Sequence, residues 1–225
     1  MLTPNAAFLH ITVNNTIFGT AYHTLPETGK MPLVGDMSSI ILGKEYEVRK
    51  FGLIYAGAQK NMAPAGLTVV IIDKSVAGRE MALTPLMMSY ARMIDKDSMY
   101  NTPPCWDIYI LGLVLDWLEQ QGGVAGMEKL KKEKALLLYN FLDESKVFKA
   151  CARADSRSDM NITFNTGNEE LDTAFVKGAT AKGLTNLKGH RLVGGMRASV
   201  YNAQPIEGVK RLVEYMKEFE VANRV

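Results

Sequence analysis

Cysteine and histidine are scarce in this chain of 225 residues. Cys105 and Cys151 lie far apart and outside any Cys-x-x-Cys pair, while His10, His23 and His190 are scattered without ligand spacing. This argues against a disulfide framework and a structural metal, and predicts a reducing, cytoplasmic location. Charge of either sign is also in short surplus. The formal net charge is +2, and no basic stripe interleaves with aromatics, so no nucleic-acid partner is expected. Long hydrophobic runs are missing too: none approaches the ~20 residues needed to cross a bilayer. The start, Met1-Leu-Thr-Pro-Asn5, lacks a basic region followed by an apolar one, so neither leader nor membrane partner is expected. Internal repeats, low-complexity segments and Gly/Ser linkers are absent as well.

What is present suffices for a large core, since 47% of residues are hydrophobic. Apolar runs at Phe8–Val13, Met31–Gly35, Gly52–Ala56 and Leu67–Ile72 read as strands, apolar throughout and so expected to be buried on both faces. Between them there is too little sequence for a crossover helix after each strand; residues 39–49 could hold only a short one. An irregular stretch follows to Tyr100, with Met81, Met87, Met88 and Met93 expected as gap-filling core residues. Pro103-Pro104 opens a helix to about Gln121, with Trp106, Ile110, Leu113, Val114 and Trp117 on one face.

From Val124 to about Leu142 a long amphipathic helix is expected, with Glu128, Lys131, Lys132, Glu133 and Lys134 on its wet face. Then come a strand at Met160–Asn165, a helix at Glu169–Lys182 stopped by Gly183, a strand at Arg197–Tyr201 and a closing helix at Pro205–Ala222. The expected fold class is α/β, with a mostly parallel sheet in residues 1–122 and a smaller α+β unit in residues 123–225.

Lys60 ends an apolar run and is followed by the turn residues Asn61, Pro64 and Gly66, which places its amine at a strand end, where α/β proteins bind ligands. Asp36 ends the preceding apolar run. It could simply cap its own turn before Ser38-Ser39, but a carboxylate and a lysine at neighbouring strand ends also fit one cofactor. Pyridoxal 5′-phosphate needs a lysine to hold its aldehyde as a Schiff base and an acid to keep its pyridine nitrogen protonated. Thr16 is a candidate for the ring's phenolic oxygen, although Asn14-Asn15-Thr16 is equally well explained as a turn. Gln59 offers an amide for phosphate oxygens, and Asn101 and Thr102 offer donors at a helix start, or else cap it. Finally, His190, Arg191 and Arg197 lie in a glycine-interrupted segment suited to an anionic substrate, with a solvated hairpin as the plainer account.

Three segments, Ala56-Gly-Ala-Gln-Lys-Asn61, Asn101-Thr-Pro-Pro104 and Gly189-His-Arg-Leu-Val-Gly-Gly-Met-Arg-Ala-Ser-Val-Tyr-Asn-Ala203, together closely resemble the phosphoserine aminotransferase family. Asn14-Asn-Thr-Ile17 and Asp36-Met-Ser-Ser39 extend the resemblance over essentially the whole chain. It implies fold type I of the pyridoxal-phosphate enzymes, a homodimer, and amino-group exchange between phosphoserine and 2-oxoglutarate. It makes Lys60 the Schiff-base lysine and proton carrier, Asp36 the pyridine-nitrogen partner, Thr16 the contact to the ring hydroxyl and Gln59 a phosphate ligand. Asn101 and Thr102 would reach the cofactor phosphate of the neighbouring subunit. Arg197 would take the substrate α-carboxylate, and His190 with Arg191 the phosphate or distal carboxylate. The resemblance covers the family's interior and C-terminal parts: its glycine-rich phosphate loop, its ring-stacking aromatic and its His-Arg pair have no counterpart here. Asp159 stands where the family usually has arginine. The alternative expectation is a non-catalytic chain that keeps dimerisation surfaces and acts as an interaction subunit.

Overall fold

The structure is a computed structural model, and it describes residues 2–223. In chain order the elements are β1 (Leu9–Thr12), β2 (Asn14–Asn15), β3 (Thr20–Ala21), β4 (Leu33–Asp36), β5 (Leu53–Gly57), β6 (Thr68–Ile72), α1 (Tyr90–Asp95), α2 (Cys105–Gln120), α3 (Gly123–Glu144), β7 (Lys149–Ala150), β8 (Asn161–Asn165), α4 (Glu169–Ala181), β9 (Met196–Ser199) and α5 (Ile206–Asn223). They divide into two compact units. The first holds residues 1–13, 25–41 and 46–120, the second residues 14–24, 42–45 and 121–225. The sequence places a single break after residue 122, whereas two short early segments belong with the C-terminal half.

In the first unit the four expected strands form one sheet in the order β1-β4-β5-β6. The pairs β1–β4 and β4–β5 are parallel, and β6 returns antiparallel, as a strand that follows its neighbour through a short connection must. The expectation of burial on both faces fails. Alternate residues Ile11, Leu33, Ile54 and Ala56 are buried, while His10, Val34, Asp36, Leu53 and Tyr55 of the other face stay at least partly open. A run can be apolar and still bury only every second side chain. No crossover helix fills residues 39–49; a single 3-10 turn at Val48–Lys50 ends that stretch.

Two further expectations are corrected in this unit. Met81, Met87 and Met88 are 80%, 51% and 70% exposed, because residues 73–100 form only short turns and α1, with no layer to enclose them. Helix α2 starts after Pro103-Pro104 as anticipated, but its only buried side chain is Leu118; Trp106, Ile108, Tyr109, Leu113 and Leu115 are exposed.

The second unit packs α3, α4 and α5 with the three-stranded antiparallel sheet β7-β8-β9. Its core is aromatic. Phe148 meets Phe164 and Phe175 edge-on, and Phe175 stacks on Tyr215 at 5.0 Å between ring centroids. In the charge run of α3, expected to be wet, Lys132 and Glu133 are exposed but two lysines are not. Lys131 is 1% and Lys134 0% exposed. They continue a buried stripe with Met127, Leu138 and Leu142 at helical spacing. Lys134 Nζ donates to the carbonyls of Tyr201 (2.7 Å), Gln204 (3.0 Å) and Asn202 (3.4 Å), which satisfy an ammonium that a core would otherwise reject. Burial still pushes its pKa down, to about 8. Lys131 faces Asp159 at 3.8 Å; burial pushes its pKa down too, and Asp159 and Glu128 oppose that shift.

The β2–β3 hairpin explains why residues 14–24 join this unit. Asn14 Nδ2 donates to Asn161 Oδ1 at 2.7 Å, and the Ser158 hydroxyl donates back to Asn14 Oδ1. Thr163 Oγ1 donates to the Phe18 carbonyl at 3.0 Å. Gly19 has φ +68°, and a Cβ there would lie 2.5 Å from Thr163 Oγ1, so the hairpin seats on β8 only with glycine at this point.

Candidate active site

In the first unit, β4 and β5 run parallel, with Asp36 opposite Tyr55, so both strands deliver their C-terminal ends to the same edge. Strand β5 ends at Gly57 and passes into a 3-10 turn, Ala58–Lys60, where Met62 N and Ala63 N both donate to the Ala58 carbonyl. That turn puts the half-buried Lys60 five residues beyond Tyr55, on the C-terminal side of the sheet. Strand β4 ends at Asp36, whose Oδ1 accepts the Ser38 N–H at 2.9 Å in an Asx turn. Ser38 then ties the two strand ends together, its hydroxyl accepting the Gly57 N–H at 3.1 Å. Gly57 also leaves room for Gln59: a Cβ at 57 would come 2.8 Å from Gln59 Oε1. Asp36, Gln59 and Lys60 are thus gathered on adjoining backbone. Asn101 and Thr102 belong to the same unit, exposed in the segment before α2, where the Asn101 amide donates to the Thr102 carbonyl at 3.2 Å.

Thr16, His190, Arg191 and Arg197 belong to the second unit. Thr16 is half-buried in the β2–β3 hairpin. The segment after Lys188 closes on itself: Gly189 N donates to the Gly195 carbonyl at 2.8 Å, and Val193 N and Gly194 N donate to the His190 carbonyl. The glycines here serve the chain's own backbone, since a Cβ at 189 would lie 2.0 Å from the Gly194 carbonyl oxygen. His190 Nδ1 accepts the Leu192 N–H at 3.3 Å, which in the neutral ring leaves the hydrogen on Nε2, available to a ligand. Arg191 is exposed. Arg197 sits on β9 opposite Thr163, and its Nε is buried with no hydrogen-bond partner. A buried guanidinium nitrogen left unpaired is suited to an anion brought by a ligand.

The residues present fit pyridoxal phosphate by the chemistry of the donor set: an amine, a carboxylate and an amide at neighbouring strand ends. A model of the aminotransferase class-V family matches residues 1–212. The chain belongs to the class-V aminotransferase family. Among class-V relatives, the phosphoserine aminotransferase of Bacillus cereus strain ZK / E33L is 55% identical over 217 residues, which is 96% of this chain and 60% of that protein. That of Desulfatibacillum aliphaticivorans is 53% identical over 223 residues, 99% of this chain and 62% of that protein. A solved phosphoserine aminotransferase from Bacillus circulans subsp. alkalophilus superposes with a TM-score of 0.96 at 45% identity, covering 98% of this chain and 62% of that one. The chain therefore spans about 60% of the length of the relatives it matches. An alanine–glyoxylate aminotransferase from Nostoc sp., at 14% identity and a TM-score of 0.76, shares the fold. The α/β fold of pyridoxal-phosphate enzymes expected from the sequence is the fold observed.

Residues that sequence reasoning passed over stand beside these. Tyr55 and His10 occupy the open face of the same sheet, and Lys134 anchors the turn that follows β9. Only the alternation along β5 could have singled out Tyr55, because it places that side chain on the face of Asp36.

Proposed function

We propose that this class-V aminotransferase chain carries the lysine, the acid and the substrate arginine of a transaminase that exchanges an amino group between phosphoserine and 2-oxoglutarate. The observation that carries the reading is the joining of the Asp36 and Lys60 strand ends through Ser38 and Gly57. A PLP-bound phosphoserine aminotransferase from Trichomonas vaginalis, which superposes on 96% of this chain with a TM-score of 0.92 at 38% identity, supports it. When bound, pyridoxal phosphate supplies the aldehyde that carries the amino group and the ring that accepts electrons from the α-carbon.

The chain's own residues supply the rest. Lys60 Nζ holds the cofactor and takes and returns the substrate α-proton. The Asp36 carboxylate, fixed through the Ser38 N–H, would pair with the ring nitrogen, Thr16 would take the ring hydroxyl and Gln59 would hold the phosphate. Arg197 binds the α-carboxylate through the nitrogen that has no protein partner. His190 Nε2 and Arg191 hold the substrate phosphate or the distal carboxylate. The proposed assembly is a homodimer, with Asn101 and Thr102 serving the partner's cofactor phosphate. Both cysteines are free and exposed, which fits the reducing cytoplasm.

A second reading is favoured by α2. Its exposed Trp106, Tyr109 and Leu113 lie together on one face, with Ile108 and Leu115 on the opposite one, and apolar side chains left open in this way suit association, which an interaction subunit could use without catalysis. Uptake of pyridoxal phosphate distinguishes the two. The transaminase reading requires a near-visible absorbance band that disappears in Lys60→Ala, and faster amine transfer from phosphoserine than from alanine. An unchanged band in Lys60→Ala would overturn it.

A further inference from the structure

Three polar groups share the open face of the first unit's sheet. Asp36 and Tyr55 are register partners on β4 and β5, and His10 lies on β1, across the intervening strand. The His10 and Tyr55 rings stack at 5.9 Å between centroids and 22° between planes, and His10 Nε2 meets the Tyr55 hydroxyl at 3.0 Å. Burial and the neighbouring Asp36 carboxylate, through its charge and as a hydrogen-bond acceptor, push the Tyr55 pKa up, with a smaller contribution from Tyr90. The two rings also line a cavity of about 710 Å³ together with Arg79, Glu80 and Tyr90, so they form a wall and are not core filling. A phenol has one hydrogen to donate. If Tyr55 gives it to Asp36, the 3.0 Å contact is satisfied by His10 Nε2–H donating to the phenol oxygen.

We infer that His10 and Tyr55 are positioning residues for Asp36: Tyr55 Oη–H holds one side of the carboxylate while the Ser38 N–H holds Oδ1, and His10 fixes the phenol in the donating orientation. Asp36 is thereby presented with a set direction to whatever cation it meets. This rests on the reading of Asp36 as the partner of the cofactor's ring nitrogen. Neither His10 nor Tyr55 touches the cofactor in that reading. Their effect passes through the carboxylate, in the way outer residues orient the ligands of a metal.

Two measurements on the 225-residue chain test this. The first needs no cofactor. Alkaline difference absorbance of the chain minus Tyr55→Phe isolates the ionisation of one phenol, expected above the ordinary tyrosine value and lowered in Asp36→Asn. The second is pyridoxal phosphate affinity, referred to Lys60→Ala for uptake at other lysines. Tyr55→Phe is expected to weaken binding roughly five-fold, the equivalent of one hydrogen bond of about 1 kcal/mol. His10→Ala is expected to weaken it less, and His10→Gln, which keeps a donor, to recover most of that loss. A Tyr55 midpoint indifferent to Asp36→Asn overturns the inference, as does Tyr55→Phe binding the cofactor with unchanged affinity. If the chain takes up no cofactor at Lys60 while the phenol still responds to Asp36, the functional reading fails and the positioning role falls with it, leaving only the contact.

Discussion

Lys134 and Tyr201 are joined by a 2.7 Å hydrogen bond from a fully buried ammonium to a backbone carbonyl, and the same ammonium reaches the carbonyls of Asn202 and Gln204. This one side chain therefore organises the turn between β9, which carries Arg197, and α5. Lys134→Met keeps the volume but leaves those carbonyls without their donor. The variant is expected to lose about 2–4 kcal/mol of stability in urea denaturation, against less than about 0.5 kcal/mol for Lys132→Met on the exposed side.

The same lysine gives a pH dependence. Its native pKa of about 8 lies below the ordinary 10.5, because burial disfavours the charge. The native state therefore bears a cost below pH 8, where Lys134 is protonated in both states. From about pH 8 to 10.5 the unfolded chain binds the extra proton, so this contribution to stability rises with pH. The difference between wild type and Lys134→Met in chemical denaturation is expected to grow across that window. A flat difference would contradict it.

Asp159→Asn tests the second buried lysine. The substitution removes the carboxylate 3.8 Å from Lys131, and a loss of roughly 1–3 kcal/mol is expected, discounted because Asp159 keeps 29% of its side chain exposed. The double variant Lys131→Met/Asp159→Asn is expected to recover much of it, as calorimetric melting can show.

Two glycines separate strain from crowding. Gly29 and Gly19 both have positive φ, but a Cβ at Gly29 meets nothing within 4 Å, whereas at Gly19 it strikes Thr163 Oγ1 and the Asn161 carbonyl. Gly29→Ala is expected to cost about 1 kcal/mol, from the backbone alone. Gly19→Ala is expected to cost about 2–4 kcal/mol and to loosen the β2–β3 hairpin, visible as faster amide exchange at Phe18 and Ser158.

Arg197→Lys addresses the proposed substrate arginine. A lysine cannot present the fork, and glutamate binding is expected to weaken about ten-fold by calorimetry, with the cofactor's absorbance unchanged.

The four sheet strands and the three long helices were legible because each is an apolar run or stripe bounded by glycine, proline or a capping residue. Lys60 and Asp36 drew notice as polar groups ending apolar runs, and the turn offered as the plainer account of Asp36 is present, its Oδ1 accepting the Ser38 N–H. Lys131 and Lys134 were not legible. What makes their burial tolerable is distant: carbonyls 67 to 70 residues further along the chain for Lys134, and Asp159 for Lys131. The exposed Met81, Met87 and Met88 misled for the converse reason, since an apolar side chain does not announce whether anything will cover it. The unit to which Thr16 belongs was not legible, because it is decided by the bond that Asn14 donates to Asn161 and the one that the Phe18 carbonyl accepts from Thr163, nearly 150 residues later.

Strand β5 alternates so strictly that Ile54 and Ala56 fill the core while Tyr55 stands beside Asp36. Deleting one residue between Phe51 and Ile54 would keep the composition of this strand nearly intact and still exchange its faces, sending the phenol inward and bringing Ala56 opposite the carboxylate. The segment can therefore vary residue by residue but not by length: its reading frame in space is part of the chemistry.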